Sequence, residues 1–496
     1  MSSHEKTSSL EAPVAVSESE RRLNELGYVQ QFRRQMSFWA VVGMSFTAIG
    51  ILTGMSSAFQ TGLFSGGPLG LFWGWNICSI FMFLIALCLA EIASVWPTAG
   101  GLYYWVCKMK PDVPALGFIT GNVYAWAMVL TGTSGNLSVA LYLASVISIA
   151  TGKVWRQVEI AAMAWGVNIL SGILNTWGTR PIGTIAGLSV WWTLGGTVVL
   201  VICLLVKAPV KNMASFVFFD FENFTGYGSE GFVVLLGFLQ AVYTLEGCET
   251  AAQIAEEAIN AEWLCPIALS ASVAGSWFIG VIYLLSLLFA VQSIASVQST
   301  SYALPIAQLI YDAVGRNLSI LLIVIILVAQ WAAALTAWTA SSRLFFALAR
   351  DRAFPFQSMF VALNRSGAPY AGVWLSVLVG CIIAAAYIGS TIAFNGILAA
   401  AAIGVLLSYS VPIFCRVLWP NTLDERGPFT LGQYSWTLNL LSLLFCIFAC
   451  VLFILPTTTP VTSLNMNYAI VAIGAILVLV IIQYLVNITC DISKLD

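Results

Sequence analysis

The sequence predicts an all-α integral membrane protein with twelve transmembrane helices. Of its 496 residues, 59% are hydrophobic and only 8% are charged, whereas a soluble globular protein carries about 25% charged residues. The hydrophobic residues form twelve segments near the ~20 residues that a helix needs to cross a bilayer. The predicted helices, α1 to α12 in chain order, cover residues 37–63, 69–94, 116–149, 158–177, 183–206, 230–253, 266–291, 318–349, 370–389, 392–417, 436–456 and 467–489.

The placement of basic residues predicts that both termini are cytosolic. With the N-terminus inside, fifteen of the 20 Lys and Arg residues fall in cytosolic segments, where membrane proteins concentrate positive charge. Residues 1–36 are polar, and we expect a disordered cytosolic tail without a signal peptide. Residues 490–496 form a short cytosolic tail. The plasma membrane is the first choice of location, and the vacuolar membrane is the alternative.

The loop between α5 and α6, residues 207–229, is external in this topology. Its tripeptide Asn223-Phe224-Thr225 matches the acceptor pattern for N-glycosylation. Asn223 is therefore a candidate glycosylation site.

The composition excludes several kinds of chemistry. The chain has one histidine, His4, in the polar tail, so Ser-His-Asp catalysis and His-ligated metals lack their central residue. The eleven cysteines lie mostly in apolar runs without metal-ligand spacing and are typical of packing residues. No basic cluster suggests nucleic acid. We expect no enzyme activity, cofactor, metal or nucleic-acid partner.

The middle of α1 contains three glycines and several hydroxyl residues. Glycine costs about 1 kcal/mol in a helix interior, and a broken backbone inside a bilayer must be covered by protein or line a cavity. The segment therefore predicts a binding site, with close packing of small residues as the alternative. The candidate substrate-binding residues are Ala48, Ile49, Gly50, Ile51, Thr53 and Gly54.

Two carboxylates flank a glycine in the apolar run of α6. An unpaired ionisable group at this depth costs about 2.5–3.5 kcal/mol, so each must face a cavity or a partner. Glu249 is the best candidate for binding an amine or carrying a coupling proton. The alternative is that one glutamate caps a broken helix. The candidate substrate-binding residues here are Tyr243, Glu246, Gly247, Cys248 and Glu249.

α1 and α6 are the first helices of two five-helix blocks. Interruptions at corresponding positions indicate an inverted-repeat transporter with its site near the bilayer midplane. The first repeat covers residues 37–206, the second covers 230–417, and α11 and α12 are appended at 436–489. Exposed amides of a half-helix attract a substrate carboxylate, and exposed carbonyls attract an amine.

Three motifs carry a resemblance to a known family. Residues 91–94 read Glu-Ile-Ala-Ser, residues 97–105 read Pro-Thr-Ala-Gly-Gly-Leu-Tyr-Tyr-Trp, and residues 341–351 read Ser-Ser-Arg-Leu-Phe-Phe-Ala-Leu-Ala-Arg-Asp. These resemble signatures of the amino acid–polyamine–organocation (APC) superfamily of permeases. Arg426-Gly427-Pro428-Phe429 and Asn465-Met466-Asn467-Tyr468 are similar to the fungal GABA and choline permease branch. The resemblance implies a LeuT-like 5+5 inverted repeat plus two helices.

The chain departs from this family in both interrupted helices. The family pattern Gly-Tyr-Asp followed by His appears as Gly247-Cys248-Glu249 and Gln253, so a carboxylate is kept but the aromatic and imidazole groups are not. A polar Thr-Asn-Ser-Trp stretch of the fungal branch lines up with residues 49–52, Ile-Gly-Ile-Leu. We therefore expect a more apolar pocket of different shape.

Other polar or aromatic residues within apolar runs are weaker candidates. Asn136 and Trp331 are included in the predicted substrate site, with Trp126, Gln330 and Asn395 as further candidates. For each tryptophan the alternative is packing between helices. The resemblance allows a sodium site at Ser341 and Ser342, although such hydroxyls often bind their own helix backbone. Glu91 and Arg343 form a candidate cytosolic gate, or alternatively have plain surface roles.

These features predict a secondary active transporter, coupled to protons rather than sodium. Its solute would be small and amine-bearing: an amino acid, GABA, a polyamine or a choline-like cation. The alternatives are an exchanger or exporter of the same fold, or a nutrient receptor that does not transport.

Overall fold

The computed structural model describes residues 38–492, except residues 99, 254, 256, 257, 259, 424–426 and 464. In this part of the chain there is no β-strand, and twelve helical spans are long and apolar enough to cross a membrane. The predicted all-helical fold with twelve spans is therefore confirmed. The tail 1–36 with His4, and the motif residues Ala99 and Arg426, lie outside the described residues.

The spans lie close to their predicted positions. Their bounds are Phe38–Ile49 and Ile51–Phe64 for α1, Gly67–Val95 for α2, Pro114–Thr151 for α3, Gln157–Thr176 for α4, Thr179–Lys207 for α5, Glu230–Leu236, Phe238–Leu245 and Thr250–Gln253 for α6, Ala261–Ala290 for α7, Arg316–Arg350 for α8, Tyr370–Ala384 for α9, Ala393–Leu418 for α10, Ser435–Ile454 for α11 and Ala469–Ile492 for α12. Short helices in the connecting loops include Gly101–Met109 and Pro305–Val314.

One difference from prediction is the start of α7. The helix begins at Ala261, five residues before the predicted start, and carries Pro266 inside it. Glu262 occupies its first turn, where a negative charge is stabilised by the helix dipole. Hydrophobicity alone places the boundary at the apolar run, because it does not register this charged first turn.

The two five-helix blocks pack against each other through corresponding helices. α1 contacts α6, α2 contacts α7, α3 contacts α8, and α4 contacts α9. The contact of α5 with α8 likewise has a counterpart in that of α10 with α3. Since each block crosses the membrane five times, the second begins on the side opposite to the first. This is the arrangement that an inverted repeat requires.

The last two helices lie outside the repeats. α11 packs against α10 and α2, and α12 packs against α10 and α3. They therefore cover one flank of the bundle, and the interrupted helices α1 and α6 are left to contact each other in its interior.

Candidate functional site: a cavity between two interrupted helices

The interruption of α1 is centred on Gly50. This residue has φ 61° and ψ 53°, a left-handed conformation that side-chain-bearing residues rarely adopt. The backbone N–H groups of Thr53 and Gly54 donate to the Gly50 carbonyl at 3.1 and 2.7 Å, and Thr53 Oγ1 donates to it at 2.9 Å. The second half of α1 therefore starts anew at Ile51, and its first amides point towards the break.

The interruption of α6 faces that of α1. The helix Phe238–Leu245 ends before Glu246, whose backbone is extended, and Gly247 follows with φ 110°. A Cβ atom at Gly247 would lie 2.9 Å from the carbonyl carbon and oxygen of Ala48. Glycine is therefore required at residue 247 by both its backbone conformation and this contact.

Close packing and helix interruption both occur in α1. Gly54 lies inside the second half-helix, where a Cβ atom would be 2.9 Å from the Cα atom of Thr244 in α6. Gly50 accounts for the break, whereas Gly54 allows the two helices to pack backbone against backbone. The two interpretations of the glycines thus apply to different residues.

A cavity of about 80 Å³ lies where the two interruptions meet. Of the predicted site residues it is lined by Ala48, Ile49, Gly50, Thr53, Gly54, Tyr243, Glu246, Gly247 and Glu249, and of the weaker candidates by Gln330. Four predicted residues, Ile51, Asn136, Cys248 and Trp331, do not line it. α3, α8 and α10 complete the wall with residues that the sequence interpretation missed, namely Met128, Thr131, Ala333, Ala334, Thr336, Ala337, Ala340 and Val405.

Glu249 is held by two tyrosines from other helices. It is 2% exposed. Tyr124 of α3 donates to its Oε1 at 2.5 Å, and Tyr409 of α10 donates to its Oε2. Glu249 therefore joins the α6 break to a helix of each repeat.

The other contacts of the two tyrosines define where their hydrogens point. Gln253 Nε2 donates to the Tyr124 hydroxyl oxygen at 2.6 Å, and the Gly247 N–H donates to the Tyr409 hydroxyl at 3.1 Å. A hydroxyl has one hydrogen to donate, so each tyrosine directs it to Glu249. Both oxygens of a charged Glu249 carboxylate are thereby satisfied.

Glu246 lines the same cavity without comparable donors. It is 7% exposed, and its buried Oε1 has no hydrogen-bond partner among the described residues. No Lys, Arg or His occurs among the described residues that line the cavity. The site therefore combines one carboxylate with a tyrosine donor at each oxygen and one whose Oε1 has no partner among the described residues.

The sequence interpretation also missed Tyr124 and Tyr409, the two donors to Glu249. Both lie in the apolar interior of a span, and a tyrosine hydroxyl buried there needs a polar partner. This need for a polar partner could have identified the two tyrosines from the sequence, because the two carboxylates of α6 were candidate partners.

The remaining predicted residues lie away from the cavity. The Asn136 side chain accepts a hydrogen bond from Ser171, which in turn accepts one from Trp331. These three residues join α3, α4 and α8. Ser341 and Ser342 donate to the carbonyls of Trp338 and Thr339 in their own helix, the alternative named for them above.

A larger cavity of about 470 Å³ lies at the end of the bundle where α1 ends. Gln60 and Asn395 line it and are joined by a hydrogen bond of 2.9 Å. One turn earlier in α1, Ser57 donates to Gln330 at 3.1 Å, and Gln330 lines the smaller cavity. A short polar contact between α1 and α8 thus lies between the two cavities.

Glu91 lies at the other end of the bundle, in a buried polar cluster. Arg416 Nη2 of α10 is 3.5 Å from its Oε2, and Ser435 of α11 donates to that oxygen at 2.5 Å. The Leu431 N–H donates to its Oε1. Glu91 thus joins α2, α10 and α11. Arg343 is exposed in α8, and the gate role of Glu91 and Arg343 stays a prediction.

Two of the sequence motifs meet at the same end. Tyr103, in the segment that follows α2, donates to Asp351 at the end of α8 at 3.1 Å. Nearby, the Asn122 side chain of α3 donates to the carbonyl of Ala353. These contacts therefore join the segment between α2 and α3, and the start of α3, to the loop that follows α8.

Two packed five-helix blocks with two further spans, and a cavity at two helix interruptions, define a membrane transport protein. The chain belongs to the amino acid permease family of the APC superfamily, because the family described as "Amino acid permease" matches residues 36–477. The predicted resemblance is confirmed.

Relatives from plants and fungi extend over nearly the whole chain. The amino-acid permease BAT1 homolog of Oryza sativa subsp. japonica is 31% identical over 487 residues, which cover 94% of this chain and 93% of the relative. Amino-acid permease BAT1 of Arabidopsis thaliana is 29% identical, with the same two coverages. The GABA-specific permease of Saccharomyces cerevisiae is 28% identical over 93% of this chain and 83% of its own length.

Proposed function

We propose that the protein is a secondary active transporter that moves a small amine-bearing solute and is coupled to protons. The observation that carries this proposal is the cavity at the two interruptions, which contains two carboxylates and, among its described lining residues, no basic side chain. A buried carboxylate within a membrane needs a cation or a proton to offset its charge. Relatives named for amino acids and GABA support a solute that carries an amine.

Glu249 is the proposed site of the coupling proton. As a charged carboxylate it accepts hydrogen bonds from both Tyr124 and Tyr409. A proton on Glu249 would remove the negative charge that strengthens both of these hydrogen bonds. Protonation would therefore loosen α3 or α10 from the α6 break, which links the proton to a change in helix packing.

Uptake into proteoliposomes tests this proposal. We expect one of labelled amino acids, GABA, choline or putrescine to accumulate under an imposed pH gradient, and a protonophore to abolish the accumulation. Uptake only into vesicles preloaded with solute would indicate an exchanger instead. Folded protein that moves none of these solutes would contradict the proposal.

Substitution of Glu249 tests the coupling residue. Glu249→Gln keeps the side-chain size but cannot exchange a proton, so it should abolish proton-driven accumulation at normal protein levels. Glu230→Gln provides the matched control, since Glu230 is an exposed residue at the start of the same helix. Wild-type accumulation by Glu249→Gln would refute the assignment.

A further inference from the structure

We propose that Glu246 binds the cationic group of the solute and makes the site select solutes of net positive charge over zwitterionic or acidic ones. This inference rests on the proposed transport function and names the charge class of its substrate. Three observations carry it: the surroundings of Glu249, the unpartnered oxygen of Glu246, and the absence of a basic side chain among the described lining residues.

The first observation removes Glu249 as the solute ligand. Each of its oxygens already accepts a hydrogen bond from a tyrosine, and both tyrosines are held in that direction by Gln253 and the Gly247 N–H. A solute ammonium group would have to compete with these two donors for a carboxylate that is only 2% exposed. Towards the solute Glu249 therefore acts as a positioning residue, which holds the α6 break against α3 and α10 as long as the coupling proton is absent.

The second observation makes Glu246 the available ligand. Its side chain lines the cavity, it is more than nine-tenths buried, and its Oε1 has no partner among the described residues. A buried polar atom without a partner is costly. An ammonium group provides the hydrogen bonds and the positive charge that this oxygen lacks.

The third observation concerns the total charge in the cavity. No lysine, arginine or histidine among the described lining residues balances Glu246. With the coupling proton on Glu249, a solute with one excess positive charge neutralises Glu246. A zwitterion also brings a carboxylate, whose charge the exposed amides at the α1 break offset only in part, by the equivalent of about half an elementary charge. Burial of an unbalanced charge is strongly unfavourable, so the net-cationic solute is favoured.

Equilibrium binding to the purified full-length protein tests the inference. The labelled probes are putrescine, a cation with N–H donors, choline, a cation that supplies charge but no N–H donor, GABA as a zwitterion, and glutamate as an acid. The wild type should bind a cation at least about tenfold more tightly than GABA, a difference of ~1.4 kcal/mol, and should bind glutamate least. Glu246→Gln should lose at least about tenfold in cation affinity while its affinity for GABA is kept or improved.

Matched variants separate the charge of Glu246 from a structural role. Glu246→Asp keeps the charge and should retain the preference for cations, while Glu230→Gln should behave as wild type. If Glu246→Gln binds cations as tightly as wild type, or if wild type prefers GABA, the inference is overturned. Should Glu246→Gln fail to fold, the relative affinities of the wild type for the four probes still show whether the site prefers cations.

The outcomes also distinguish this inference from the proposed function. Proton-driven accumulation of a solute whose binding is unaffected by Glu246→Gln would leave the transport proposal standing and refute the role of Glu246. Wild-type protein that neither binds nor accumulates any probe would refute both.

Discussion

Glu246 and Glu249 are three residues apart, yet the fold gives them different surroundings. In a continuous helix, residues at this spacing lie on the same face. Here the helix stops at Leu245 and resumes at Thr250, so the connecting segment turns Glu249 towards the hydroxyls of Tyr124 and Tyr409. Glu246 is left at the cavity wall. The interruption of α6 thus separates two chemically identical groups into a positioning residue and a candidate ligand.

The tyrosine contacts predict a stability effect. Tyr124→Phe or Tyr409→Phe removes a hydrogen bond to a buried carboxylate, which should cost about 1.5–3 kcal/mol. The midpoint of thermal unfolding of the purified protein should fall accordingly. Tyr434→Phe should leave it unchanged, because Tyr434 is 62% exposed. Unaltered midpoints for both buried variants would contradict the role given to Glu249.

At the scale of whole helices, the site depends on how closely α1 and α6 approach. Breaks in both helices bring backbone groups to the cavity, where ordinary helices would present only side chains. The approach requires small residues at the contact. A Cβ atom at residue 54 would be too close to the Cα atom of Thr244, and one at residue 247 would be too close to the carbonyl of Ala48. The glycines of these helices therefore have packing roles as well as conformational ones.

Gly54→Ala tests the packing role alone, since Gly54 lies within a regular helix. The added methyl group would overlap Thr244, and overpacking of this kind typically costs about 1–3 kcal/mol. We expect a lower unfolding midpoint and reduced uptake. Gly195→Ala in α5 is the matched control, because nothing lies within 4 Å of its added Cβ atom. Equal behaviour of the two variants would show that α1 and α6 are less tightly packed than described.

At the scale of the whole molecule, the two ends of the helix bundle carry different features. The larger cavity and the loop that carries Asn223 lie where α1 ends, whereas Glu91 and its partners lie at the opposite end. The charge distribution of the sequence predicts that the first end is external and the second cytosolic.

Glycosylation of Asn223 tests this sidedness. The Asn223 residue is exposed, and its Oδ1 accepts a hydrogen bond from the Thr225 hydroxyl at 2.7 Å. We expect protein expressed in a eukaryotic cell to shift in gel mobility after glycosidase treatment, and Asn223→Gln to lose that shift. A glycan attached instead to an acceptor sequence inserted between α2 and α3 would reverse the predicted topology.

Hydrophobic length and composition were sufficient to predict the twelve helices, because each segment meets the thickness of the bilayer independently of the others. The location of the site was also predictable to a useful degree. Glycines in α1 and carboxylates in α6 are each energetically unfavourable within a membrane. Such residues can be recognised within an apolar segment from the sequence alone.

The division of roles between Glu246 and Glu249 could not be predicted in this way. The donors to Glu249 come from α3 and α10, more than a hundred residues away in each direction, and the alanines of α8 that complete the cavity lie on a third distant helix. A hydrogen bond depends on the direction of both groups in space, and sequence spacing carries that information only within a single helix. The two interrupted segments were therefore predictable from the sequence, whereas the rest of the cavity wall and the electrostatics of the site follow from the packing of five helices.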